Sequence, residues 1–79
     1  MGTVIIQHVE LDDDNVPHVT RHGVTLTEVE TLLYTTTRFL RNKRRATSGY
    51  VAIGNGIRVN FLYRPEEHTA RPISAWRLT

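Results

Sequence analysis

The chain has no cysteine, which excludes a disulfide framework and any thiolate metal site and leaves the redox compartment open. Long hydrophobic runs are also missing. Val4-Ile5-Ile6 and Leu32-Leu33-Tyr34 are the longest, too short to span a bilayer or to form a signal h-region. A soluble cytoplasmic protein without membrane contact is therefore expected. There is no glycine-rich phosphate loop, no nucleophile elbow, no carboxylate pair at useful spacing, no internal repeat and no low-complexity linker. Length is short as well: 79 residues suffice for one domain and not for two. Such a domain buries about 60% of its unfolded surface and gains roughly 3–5 kcal/mol from its own core, so an obligate partner fits.

The charge that is present is unevenly placed. The net charge is only +2, but residues 1–37 carry six acids and one base, a balance of −5, and residues 38–79 carry nine bases and two acids, a balance of +7. Such asymmetry suits a polyanion-binding face, and it suits two ordinary solvated surfaces equally well.

Thr3 to Glu10 is rich in β-branched and apolar residues and reads as a first strand. Asp12-Asp13-Asp14-Asn15 supplies N-cap types and Pro17 suits a first helical turn, so a short helix is expected there, stopping at Gly23. Thr25-Leu26-Thr27-Glu28 fits a capping box. Leu26, Val29, Leu32 and Leu33 then recur at helical spacing, and the threonines at 35–37 should end that second helix near Tyr34 or Thr35. Strand candidates follow at Thr37 to Arg41 and Gly49 to Gly54, separated by a polar basic turn over Asn42 to Ser48. Asn55-Gly56 is a strong hairpin signal. After it Ile57, Val59, Phe61 and Tyr63 share the face expected to meet the helices. Pro65-Glu66-Glu67-His68 makes a turn, and Ala70 to Trp76 forms a last strand, at an edge or bulged at Pro72. The expected fold is α+β: a short N-terminal strand and two helices packed on a four-stranded antiparallel sheet, in the order β-α-α-β-β-β-β.

The segment from Asp12 to Glu30 contains D-x-x-N-x-x-H-x-x-x-H-G-V with Glu28-Val29 shortly after, and it resembles the N-terminal signature of BrnT-type ribonuclease toxins. Ala52-Ile53-Gly54 is similar to that family's A-I-G before its hairpin, and Arg71-Pro72-Ile73-Ser74-Ala75 to its closing R-x-I-S-A strand. The resemblance covers most of the chain in order. It implies a RelE-like fold, metal-independent mRNA cleavage without a cofactor, and a cognate antitoxin as partner. Three features depart from the pattern: Leu11 stands where tryptophan is usual, Trp76 where arginine is usual with Arg77 one place later, and the Asn55-Gly56 connection is tight. A one-residue slip along a strand turns a side chain to the opposite face.

Metal-independent RNA cleavage needs a base for the 2′-hydroxyl, an acid for the departing 5′-oxygen and cations for the phosphorane. Arg58, Arg64 and Arg71 lie on strands expected to be neighbours, and arginine's planar fork matches phosphate oxygens in pairs. His68 lies in the turn between the last two strands, and histidine as a residue type can serve as acid or base. These four form the candidate catalytic set. Arg38, Arg41, Lys43, Arg44, Arg45 and Arg77 are candidate backbone contacts for RNA, and Tyr63 a stacking residue or a core one. His18 and His22, four residues apart, suggest metal ligands or, for His22, a helix C-terminal cation. No third ligand is evident, so no metal is expected. The rival reading is a non-catalytic relative of the same fold that binds nucleic acid or protein.

Overall fold

The computed structural model describes residues 4–36, 38–41 and 49–78. Its elements are β1 (His8–Val9), α1 (Val16–Val19), α2 (Leu26–Thr35), β2 (Leu40–Arg41), β3 (Tyr50–Gly54), β4 (Ile57–Arg64), a 3₁₀ turn (Pro65–Glu67) and β5 (Thr69–Arg77). The strands form one sheet in the order β1-β5-β4-β3-β2.

The α+β class and the order of elements match the expectation, but the sheet has five strands and is mixed. β2 to β5 are antiparallel, while β1 joins β5 in parallel through His8↔Thr69 and Val9↔Ala70. β1 is also shorter than the strand expected over Thr3 to Glu10. The reason lies in Tyr63, whose hydroxyl accepts from Ile5 N at 3.1 Å and donates to Ile5 O at 2.8 Å. A side chain thus takes the backbone groups that a longer ladder would need.

α1 ends after Val19 rather than at Gly23. Thr20 N–H bonds to Val16 O and its hydroxyl reaches the same carbonyl at 2.9 Å, the local competition that weakens threonine in helices. α2 begins with the expected capping box. Thr25 Oγ1 accepts from Glu28 N at 3.1 Å, and Glu28 Oε1 accepts from Thr25 N at 2.9 Å. Its buried face is Val29, Leu32 and Leu33.

Asn55 and Gly56 both take positive φ, 53° and 77°, the primed geometry that matches the twist of the β3–β4 hairpin. In β4 Ile57, Val59 and Phe61 are fully buried and Tyr63 packs on the same cluster, so the expected alternation holds. β5 is an interior strand, with a bulge at Pro72. Asn60 pairs with Ser74 and Phe61 with Pro72, which leaves Ile73 without a partner. The bulge absorbs a residue that has no N–H to give. The basic turn over Asn42 to Ser48 and Thr37 lie outside the described residues. No helix among the described residues is long and apolar enough to cross a membrane.

Candidate nucleic-acid interface

Beyond the two residues of β1, the outer edge of β5 is covered by the acidic segment that follows. Asn15 anchors it. Its Oδ1 accepts from Asp12 N at 2.8 Å, and its Nδ2 donates to Glu10 O and to Pro72 O, both at 2.9 Å. Asp12 Oδ1 in turn accepts from Asp14 N and Asn15 N, an Asx turn of the kind that an aspartate or asparagine side chain closes. The result is a hook that lays α1 along β5.

Two arginines clamp the hook. Arg71 grips Asp12 with both terminal nitrogens, at 2.7 and 3.2 Å, and reaches Glu10 at 3.0 Å. Arg64 holds the other oxygen of Glu10 at 2.8 Å and Glu67 at 3.1 Å. Arg77 pairs with Glu28 at 2.9 Å and donates to Gly23 O. The Arg71 guanidinium, helped by the Asp14 and Asn15 N–H groups, holds the Asp12 carboxyl down at about 2. Arg77, helped by Thr25, does the same for Glu28, also at about 2, and Arg64 and Arg71 lower Glu10.

Carboxyls whose folded pKa lies below the ordinary 3.8 and 4.5 add stability that is complete above those values and is lost as pH falls toward the folded ones. The melting temperature should therefore stay level from neutral pH down to about pH 5 and drop between about pH 4.5 and 2. Arg71→Ala should make that acid-side drop shallower. Equal drops in the two proteins would show that the clamp does not couple to folding.

The sequence-predicted catalytic set divides into three places. Arg64 and Arg71 meet on Glu10. His68 caps the 3₁₀ turn in the left-handed conformation, with φ of 49°, and its Nδ1 lies 3.4 Å from Tyr63 Oη. Arg58 stands six residues along β4 from Arg64, about 20 Å at strand spacing, over the Trp76 ring at 5.4 Å. Of the candidate RNA contacts, Arg38 and Arg41 are exposed, with Arg41 over the Tyr50 ring at 5.3 Å. Tyr63 is committed to Ile5, Arg77 is paired, and Lys43, Arg44 and Arg45 lie outside the described residues.

Between α1 and β5 runs a groove of ≈ 370 Å³. His18 and Asp14 line it from the hook and α1, Arg21 and His22 from the turn that follows, and Arg71, Ile73 and Ser74 from β5. The bulge brings Ile73 and Ser74 together onto this side. Two imidazoles, the Arg21 guanidinium, the ion-paired Arg71 guanidinium and the Asp14 carboxylate thus face one concave space. The histidines were legible only as a spaced pair; Arg21, the one base in an acidic half, gave no signal. Among the described residues no three side chains of metal-binding type converge.

Comparison with family models, with curated proteins and with solved structures gives no match for this chain.

Proposed function

We propose that this domain is the RNA-cleaving toxin of a toxin–antitoxin pair, acting on single strands held in the groove between α1 and β5. The observation that supports it best is the gathering of His18, Arg21, His22 and Arg71 around that groove. One imidazole takes the proton of a 2′-hydroxyl as the oxygen attacks the adjacent phosphate, and the other protonates the leaving 5′-oxygen. Arg21 supplies charge to the phosphorane, and Arg71, held by Asp12 and Glu10, keeps a guanidinium N–H edge at the floor of the groove. Arg38 and Arg41, just before and in β2 at the opposite edge of the sheet, add backbone contacts that read no sequence for an RNA long enough to cross it.

One observation favours the non-catalytic alternative: Arg64, Arg71 and Arg77 are each satisfied by carboxylates, which lowers their free capacity for phosphate. A single pair of assays separates the two readings. Purified protein incubated with single-stranded RNA in excess chelator should yield fragments ending in a 2′,3′-cyclic or 3′-phosphate, and expression alone in a bacterial host should arrest growth until a neighbouring antitoxin is co-expressed. Intact RNA together with normal growth at high soluble expression would leave the binding module as the reading.

A further inference from the structure

Trp76 interrupts the resemblance noted above, and its surroundings give it a use of their own. It lies on β5 directly opposite Arg58 on β4, with the guanidinium over the indole at 5.4 Å. Arg58 is steadied in turn. Its Nε donates to Asn60 Oδ1 at 3.3 Å, and Asn60 Nδ2 lies 3.3 Å from Ser74 Oγ on β5. His22 meets the indole edge-on, with centroids 6.3 Å apart and planes at 83°. The indole is therefore propped on two sides yet remains partly exposed. It opens on a second hollow, lined by His22, Trp76 and Arg77, that meets the first groove at His22.

We infer that Trp76 is a nucleobase-stacking residue: the His18–Arg21–His22–Arg71 groove takes a phosphate of single-stranded RNA, and the adjoining hollow takes the base of the same nucleotide against the indole. The inference rests on the RNA reading proposed above and deepens it. Ser74, in the phosphate groove, and Trp76, in the hollow, are two residues apart on one face of β5, about 7 Å along the strand, a separation that one nucleotide bridges from phosphate to base. An aromatic face beside cations is the usual platform for single strands, and it tolerates any base because every base has a π-face. Arg58 strengthens it, since a cation over an indole is itself attractive and fixes the ring. The position therefore sets where along a strand the phosphate sits, without choosing which base.

Trp76 is the only tryptophan in the chain, so its fluorescence reports this site alone. Titration with a short single-stranded oligoribonucleotide should quench it, whereas an abasic ribose-phosphate oligomer of equal length should bind without quenching and about tenfold or more weakly, the usual loss for one stacked base. Fluorescence polarisation of labelled oligomers measures binding independently. Trp76→Ala should bind the base-bearing oligomer only as well as the abasic one, and Trp76→Phe should retain most of the difference. Thermal melts of both variants establish that they are folded, and if the alanine variant is not, quenching of the wild type by the base-bearing oligomer but not by the abasic one carries the test. Binding by polarisation with unchanged fluorescence and no loss in Trp76→Ala would overturn the stacking assignment and leave the RNA reading standing. Failure of both oligomers to bind would overturn the RNA reading and this one with it.

Discussion

Phe61→Ala is expected to leave most of the protein unfolded at growth temperature. Phe61 is the largest fully buried side chain among the described residues. It stacks on Tyr50 at 5.9 Å, meets Phe39 edge-on at 5.5 Å, and pairs across the sheet with Pro72 at the bulge. Truncation of a buried phenylalanine costs about 3–5 kcal/mol, transfer and cavity together. A core of this size supplies roughly 3–5 kcal/mol in all, so little margin is left. Phe61→Leu, which keeps much of the volume, should cost about 1.5 kcal/mol or less and stay folded. Urea melts followed by circular dichroism separate the three proteins. An alanine variant with a midpoint near that of the wild type would mean that the β4–β5 bulge can close over the lost ring.

The core was largely legible from the sequence because it depends on local rules. Asn55-Gly56 fixes a turn by the two backbone conformations it permits, and that turn sets the register that sends Ile57, Val59 and Phe61 to one side. Thr25 and Glu28 close their capping box within four residues. The hook was not legible, because Asn15 reaches Pro72 across 57 positions and Arg71 reaches Asp12 across 59. No window of sequence contains both partners. The same long reach alters the meaning of the charge asymmetry. Residues 1–37 and 38–79 look like one acidic and one basic surface when counted apart, yet Glu10, Asp12 and Glu28 are ion-paired to Arg64, Arg71 and Arg77. Part of the basic half has its polyanion inside the chain. The short β1 follows from another distant pair, Tyr63 and Ile5, 58 residues apart. Pro72, by contrast, announced a break in the ladder, and the bulge is where it falls.

His18→Ala and His22→Ala should each lower RNA cleavage by about 10²–10⁴-fold, the usual loss of a positioned general acid or base, while His68→Ala should leave cleavage within a few-fold of wild type. The argument rests on what each imidazole faces. His18 and His22 look into the groove that also holds Arg21 and Arg71. His68 is spent on the far end of β5, where its carbonyl accepts from Gln7 and His8 and its ring lies against Tyr63. Position in the basic half singled out His68 from sequence, whereas the fold turns the two histidines of the acidic half toward the cations. Both groove histidines are exposed, so alanine there should move the melting temperature little, and a loss of rate can be read as chemistry rather than unfolding. The measurement is single-turnover cleavage of a labelled RNA in chelator for the wild type and the three variants. Loss of activity in His68→Ala with both groove variants fully active would return the chemistry to the turn between β4 and β5, and with it the arginines that meet on Glu10.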